Sequence, residues 1–89
     1  MAVKSWRTWD FKKMQSTLPN EVQEVANKNF AIWKENPLHP SLHFKPVSGG
    51  LWSVRIGKGY RAIGRPKLDG TMVWTWIGHH KTYDKTIKR

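Results

Sequence analysis

The chain has 89 residues, of which 38% are hydrophobic and six are tryptophans, so its composition predicts one folded domain over residues 1–89 and argues against a disordered chain. It has no cysteine, which excludes disulfide scaffolds, thiolate zinc sites and cysteine nucleophiles and suits a reducing, cytoplasmic compartment. The net charge of +10 indicates a polyanionic partner, with nucleic acid the first expectation, and the absence of any long apolar run predicts no membrane association.

The positive charge is concentrated in the second half of the chain. Residues 37–89 carry ten basic and two acidic side chains, whereas residues 1–36 carry six and four. We therefore expect the functional surface in the second half. The alternative interpretation is that the excess lysine only keeps a small domain soluble.

The first part of the chain is predicted to be helical. The aromatic segment 6–11 suits either an edge strand or the entry to a short helix over residues 10–16. A longer helix is predicted to begin at Pro19, because proline favours the first helical turn, and to end at Glu35 before an Asn-Pro pair. Its apolar residues recur at spacings of three and four, which predicts one face packed on a core. Residues 37–43 contain two prolines and are predicted to be a loop.

From residue 44 onward the apolar period changes to two, which indicates strands. Glycine-containing turns separate the segments and predict an antiparallel meander. The predicted strands are 44–47, 51–56, 60–65 and 71–77. The polar stretch 79–89 is compatible with a short C-terminal helix.

The predicted register places two arginines side by side. A three-residue turn over residues 57–59 puts Arg55 directly opposite Arg61 on one face of the sheet. Like charges in this position are destabilising unless an anion or free solvation compensates them. A phosphate group satisfies both guanidinium groups, because arginine binds phosphate bidentately.

Two tryptophans are predicted on the same face. A two-residue turn at Asp69-Gly70 places Arg65 opposite Trp74 and puts Trp76 beside them. Exposed tryptophans next to arginines suit the stacking of single-stranded RNA bases. The alternative is that both tryptophans pack beneath a terminal segment and the arginines are only solvated. A slip of one residue in the register would reverse these assignments.

The C-terminal sequence HHKTYDK adds groups that can transfer protons. On a helix, His80, Tyr83 and Asp84 lie three and four residues apart on one side, and His79 precedes them. Histidine has an ordinary pKa of about 6.5, which suits general acid or base catalysis at neutral pH. The alternative is a surface histidine without a function.

A metal site is not expected. His39 and His43 have the spacing of helical metal ligands, but Pro40 lies between them in a predicted loop without a neighbouring carboxylate. No phosphate-binding glycine motif is present, so no cofactor is expected either.

The order and spacing of three segments resemble the RelE/ParE superfamily of bacterial toxins from type II toxin–antitoxin systems. The segments are LPNEVQEVANKNFAIWKENPLHPSL, LWSVRIGKGYRAIGR and WIGHHKTYDK, and together they span most of the chain. The resemblance implies an α+β fold in which two N-terminal helices pack on one face of a twisted antiparallel sheet, followed by a short C-terminal helix. The opposite face would hold the active site.

The resemblance to the RelE-like members implies a ribosome-dependent mRNA interferase, in which the ribose 2′-OH attacks the adjacent phosphate without metal or cofactor. Arg61 and Arg55 match the arginines that stabilise the transition state. His80 matches the candidate acid or base, and Tyr83 would stack on or orient the substrate. The expected substrate-binding residues are Lys45, Arg65, Trp74, Trp76, His79, Lys81 and Asp84. His43 is a reserve, and the general base stays open because no glutamate follows Glu35.

The resemblance also implies partners and an alternative function. A cognate antitoxin from a neighbouring gene would form a hetero-oligomer with the toxin. An acidic amphipathic segment of the antitoxin would cover the face of the sheet that carries Arg55 and Arg61. The ribosome and mRNA are the other expected partners. The alternative is a ParE-like poison of DNA gyrase, or a relative without catalysis that only binds its antitoxin.

Overall fold

The computed structural model describes residues 4–82, which form two helices packed on a five-stranded sheet. The helices are α1 (Trp9–Ser16) and α2 (Asn20–Glu35), and short 3₁₀ turns lie at Pro40–Leu42 and Ser48–Gly50. The strands are β1 (Ser5–Arg7), β2 (Lys45–Pro46), β3 (Trp52–Ile56), β4 (Tyr60–Pro66) and β5 (Met72–His79). Residues 80–82 turn into a helical conformation directly after β5. The predicted α+β architecture is confirmed.

The strand order is β1-β5-β4-β3-β2, and the last four strands form the predicted antiparallel meander. The sheet as a whole is mixed, because β1 runs parallel to β5 and so departs from the wholly antiparallel sheet that was expected. The amide of Met72 donates to the carbonyl of Lys4, and that of Thr8 donates to the carbonyl of Trp74, each at 3.0 Å. The N-terminal segment is thus both an edge strand and the entry to α1.

A polar triangle joins β1 to both helices. The NH1 group of Arg7 donates to Gln15 Oε1 at 3.0 Å and to Asn27 Oδ1 at 3.2 Å, and Gln15 Nε2 donates to the same Asn27 oxygen at 3.0 Å. The guanidinium lies over the ring of Phe30, 4.8 Å from its centroid. Burial lowers the pKa of Arg7. Arg7 therefore has a structural role, although it belongs to the basic excess of the chain.

The core lies between the helices and one face of the sheet, and Trp74 is at its centre. Its indole is fully buried and meets the rings of Phe30 and Trp33 at centroid distances of 4.9 and 5.3 Å. Gly64 lies directly opposite Trp74 on β4, and a Cβ atom at this glycine would come within 2.8 Å of the indole. The buried apolar residues of this core are Phe11, Ala26, Phe30, Trp33, Leu42, Val54, Ile56, Ala62, Met72, Trp74 and Ile77.

The burial of Trp74 corrects the sequence prediction, which placed its side chain on the same face of the sheet as Arg55 and Arg61. The turn after β4 has three residues rather than two, because Lys67 pairs with Thr71 through an N–H to carbonyl bond of 2.8 Å. A bulge at Thr75 then restores the predicted register. Arg65 consequently faces Val73 rather than Trp74. Between the turn and the bulge, every β5 side chain lies on the face opposite to the predicted one.

Candidate functional site

Arg55 and Arg61 form the centre of the candidate site. They lie directly opposite one another on β3 and β4, as predicted, and Gly78 of β5 is the next residue in this row. Arg55 Nε donates to the carbonyl of Gly57 at 3.0 Å, and Asn29 of α2 donates to the carbonyl of Arg55 at 2.8 Å. Both arginines are half-buried, and within residues 4–82 neither has a carboxylate partner. The pair therefore retains the capacity to bind an anion.

His43 extends this row on the β3 side. Its ring Nε2 lies 3.4 Å from NH1 of Arg55, and its backbone adopts the left-handed region with a φ of 45°. A guanidinium has only donors, so this approach suits a histidine nitrogen that accepts a hydrogen bond. Sequence reasoning held His43 only in reserve, because the turn that brings it to Arg55 leaves no periodic signal. Its strained backbone is typical of functional positions.

Two histidines follow Gly78 along the chain, and His79 lies on the helix-packed face of the sheet because it is in register with Ile56 and Tyr60. His79 pairs with Tyr60 across β4 and β5, and its ring meets the tyrosine ring edge-on at 5.4 Å. The ring of His80 stacks on that of His79 at 4.5 Å, and its amide donates to the carbonyl of Gly59 at 2.8 Å. His80 and Lys81 are exposed. The hairpin that carries Arg61 therefore anchors the backbone of His80 beside the site.

A second row crosses the same face, from Lys45 of β2 through Ser53 and Ile63 to Trp76 of β5. Lys45 is exposed at the edge, whereas Ser53 and Ile63 are each only 1% exposed. The indole of Trp76 lies over Gly78, because a Cβ atom there would come within 2.8 Å of it. Since Gly78 is the partner of Arg61, Trp76 flanks the arginine pair.

Comparison with known proteins identifies the fold. No family model and no curated protein matches the chain. Among solved structures, the RelBE2 toxin–antitoxin complex from Mycobacterium tuberculosis matches with a TM-score of 0.73 at 20% identity, covering 89% of this chain and 99% of that one. The RelB–RelE complex from Methanococcus jannaschii matches at 0.70 and 17% identity, covering 90% and 95%. A mutant of the RelE toxin from Escherichia coli, in the free state, matches at 0.71 and 18% identity, covering 100% and 98%. The chain has the fold of the RelE/ParE toxins.

Within this RelE/ParE fold, some of the predicted site residues lie together and others lie apart. The structure brings Arg55 and Arg61 together and places Trp76 beside them. Arg65 is exposed, four residues beyond Arg61 on β4. Trp74 is buried in the core, away from the arginine pair. Tyr83 and Asp84 lie outside the described residues. We call the face that carries Lys45, Arg55, Arg61 and Arg65 the basic face.

Two further properties of the described residues concern ligands and membranes. Within residues 4–82, no three histidine, aspartate or glutamate side chains are grouped as a metal site requires. No helix in this part of the RelE/ParE fold has the length and apolarity to cross a membrane.

Proposed function

We propose that the protein is the toxin of a type II toxin–antitoxin system and acts as a ribosome-dependent endoribonuclease on mRNA. The observation that carries the proposal is the arrangement of Arg55 directly opposite Arg61, without a carboxylate partner in residues 4–82 and with His43 at the β3 end of the row. This arrangement suits a phosphodiester whose charge increases during reaction. The fold shared with RelE chains supports the same function.

The arginine pair has the chemistry to stabilise the transition state. When the ribose 2′-oxygen attacks the adjacent phosphorus, negative charge accumulates on the non-bridging oxygens. Two guanidinium groups on one face offer planar donor pairs to these oxygens. The phosphate offsets the repulsion between the two arginines, and it does so more strongly as its negative charge grows. The site therefore stabilises the transition state more than the bound substrate.

Two histidines are the candidates for proton transfer. In-line displacement requires a base at the attacking 2′-OH and an acid at the departing 5′-oxygen. The new bond joins the 2′-oxygen to phosphorus and the P–O5′ bond breaks, which leaves a 2′,3′-cyclic phosphate and a 5′-hydroxyl. His43 lies at the β3 end of the arginine row, and the backbone of His80 is bonded to the hairpin that carries Arg61. We assign the base to His43, whose Nε2 lies beside the guanidinium of Arg55, and the acid to His80.

The remaining predicted residues would bind the flanking substrate. Lys45 and Arg65 lie on the basic face, at positions that suit neighbouring phosphates, and Trp76 lies beside the arginine pair. His79 and Lys81 stay candidate contacts next to His80. Tyr83 and Asp84 keep their predicted roles in orienting the substrate and His80.

The expected partners follow from the charge of the basic face. A cognate antitoxin with an acidic amphipathic segment would cover Arg55 and Arg61 and block the substrate, in a toxin–antitoxin hetero-oligomer. Several solved chains of this fold were determined in RelB–RelE complexes. The ribosome would present the mRNA in the cytoplasm.

In vitro translation tests the proposal directly. Purified protein is added, and mRNA 5′ ends are mapped by primer extension for the wild type, Arg61→Ala and Arg61→Lys. We expect cuts only with ribosomes, reduced about a hundredfold or more in Arg61→Ala. Arg61→Lys should recover little activity, because lysine lacks the planar fork. Lys28→Ala, an exposed lysine on α2, is the charge-matched control and should cleave normally.

The same experiment separates the alternative function. A solved YoeB/ParE toxin from Agrobacterium tumefaciens has this fold as well, with a TM-score of 0.68 at 19% identity, so the fold does not discriminate between targets. If the wild-type protein arrests growth but produces no cuts, the nuclease proposal is wrong. Inhibition of gyrase supercoiling by the same preparation would then identify a ParE-like poison.

A further inference from the structure

A cleft lies at the β1 edge of the sheet, at the opposite side from β2. A cavity of about 620 Å³ is lined there by Lys4, Trp6, Lys34 and Lys67. A second cavity, of about 300 Å³, shares Trp6 and Lys34 and adds Lys12. We call the two together the β1-edge cleft. None of these residues belongs to the arginine–histidine site.

Trp6 gives the cleft an aromatic surface. Its side chain is 50% exposed, although tryptophan has a large apolar surface that proteins usually bury. Trp9 is exposed as well, at 72%, but the ammonium group of Lys13 lies over its ring at 5.1 Å. Within residues 4–82, the structure places no cation over the ring of Trp6. The Trp6 ring is therefore available for stacking.

The charge of the cleft is strongly positive. Four lysines line it and Asp69 is its one carboxylate within the described residues. Asp69 is already engaged, since one carboxylate oxygen accepts the amide of Thr71 at 2.9 Å. The hydrogen bonds from Thr71 lower the pKa of Asp69, and the charges of Lys67 and Lys4 lower it further. Four lysines outweigh this one carboxylate, so the cleft keeps a net positive charge that attracts an anion.

The cleft lies at the β1 edge, where the two sides of the sheet meet: Lys12 and Lys34 of the helices line it with Phe30 and Trp74 of the core. Trp6 brings the cleft to the face of the arginine pair. Trp6 pairs with Val73, which pairs with Arg65, so the Trp6 side chain lies on the basic face. Arg65 is four residues from Arg61 along β4, about 13 Å, and Trp6 is two strands across from Arg65, about 10 Å. The separation corresponds to a few nucleotides of an extended strand. One RNA molecule can therefore contact both places.

We propose that the β1-edge cleft binds single-stranded RNA, with a base stacked on Trp6 and the flanking phosphates contacted by Lys4, Lys34 and Lys67. This inference rests on the proposed function and adds to it a binding site away from the scissile phosphate. A base on an aromatic ring and lysines around it are the usual elements of single-strand recognition. The cleft would thus hold the RNA in register while the arginine–histidine site acts on it.

An acidic extended peptide that pairs with β1 is the competing occupant, and the geometry favours it less. The β1 strand has three residues, and the parallel ladder with β5 uses the backbone groups of Trp6. Only Ser5 and Arg7 therefore offer their backbone groups to an added strand. So short an edge contributes few hydrogen bonds, and strand pairing gives no role to the exposed indole.

Fluorescence anisotropy with an oligouridine that cannot be cleaved tests the inference. The probe is a short, fluorescein-labelled 2′-O-methyl oligouridine, used alone and as a duplex with oligoadenosine. We expect Trp6→Leu to weaken single-strand binding about tenfold, since stacking on one aromatic ring is lost. The matched control Trp9→Leu should bind like the wild type. Duplex binding should change little in both variants, because paired bases are not free to stack.

Lysine variants test the electrostatic part. Lys34→Ala should lower the slope of log affinity against log salt by about 0.7, the value for one contact to a single strand. Lys28→Ala, six residues earlier on α2 and outside the cleft, should leave the slope unchanged. Circular dichroism confirms that each variant is folded before its affinity is compared.

Three outcomes would overturn the inference. Equal affinities of Trp6→Leu and Trp9→Leu would exclude stacking, and equal losses for single strand and duplex would leave only general charge attraction. Trp6-dependent binding of an oligoglutamate peptide, without such dependence for RNA, would assign the cleft to a protein partner. The effect of Trp6→Leu is also measured in an Arg61→Ala background. A persistent effect there supports the cleft even if the nuclease proposal fails.

Discussion

The imidazole of His43 faces the guanidinium of Arg55, with Nε2 of the histidine 3.4 Å from NH1 of the arginine. The contact connects the turn before β2 to the arginine pair. It also places an imidazole nitrogen, the group that serves most often as a general base, beside that pair. The left-handed backbone of His43, at a φ of 45°, directs the ring to this position.

Replacement of His43 with asparagine should slow mRNA cleavage about a hundredfold or more, because the base at the 2′-OH is lost. Asparagine tolerates the left-handed backbone, so the turn should persist. Primer extension after in vitro translation measures the rate. His39→Asn is the matched control, since His39 is exposed in the same turn and its ring bonds Ser41 rather than the arginine pair.

A modified mRNA separates the roles of the two histidines. With sulfur in place of the departing 5′-oxygen, the leaving group needs no proton. His80→Ala should then regain most of its activity, whereas His43→Asn should not. Rescue of His43→Asn instead would exchange the two roles, and normal cleavage by His43→Asn on ordinary mRNA would remove His43 from the mechanism.

Gly64→Ala should destabilise the fold by about 1–3 kcal/mol, the usual cost of overpacking a filled core. The new Cβ atom would lie 2.8 Å from the ring of Trp74 and 2.8 Å from the sulfur of Met72. Urea unfolding followed by tryptophan fluorescence measures the change. Gly59→Ala is the control, because its Cβ atom would make an ordinary contact of 3.5 Å with His79. Equal stabilities of the two variants would contradict the packing of Trp74 against Gly64.

Gln15→Ala should reduce the free energy of unfolding by about 1–3 kcal/mol, since the substitution removes a hydrogen-bond acceptor from a partly buried guanidinium. Gln15 is 7% exposed and bonds both Arg7 and Asn27. Urea denaturation at neutral pH is the measurement. Lys28→Ala, an exposed position in α2, provides the baseline. If Gln15→Ala loses no more unfolding free energy than Lys28→Ala, water replaces the hydrogen bonds of Gln15 without loss of stability.

Asp69→Asn should change the pH dependence of stability at the acid end. The bonds from Thr71 lower the pKa of Asp69 in the folded state, so its carboxylate stabilises the fold above the ordinary aspartate value of about 3.9. This contribution is lost as the pH falls through the lower, folded-state pKa. The urea midpoints of wild type and Asp69→Asn should therefore differ at neutral pH and converge in acid. A constant difference at every pH would assign the effect to turn geometry instead of charge.

Local patterns in the sequence determined much of this molecule. The apolar period and the flanking prolines predicted α2 almost to its ends, at Asn20 and Glu35. The turn at residues 57–59 predicted the opposition of Arg55 and Arg61, because a tight turn sets the register of the strands beside it. The heart of the candidate site thus depends on contacts close together in the chain.

Tertiary packing decided the rest. Trp74 enters the core because the three-residue turn and the bulge at Thr75 let its ring lie over Gly64, and both depend on how helices and sheet fill the interior. The parallel pairing of β1 with β5 and the approach of His43 to Arg55 join residues far apart in the chain. Periodicity describes which face a side chain takes within one element. It carries no information on a one-residue bulge or on which distant segment will lie alongside, since packing energies of the whole chain select these.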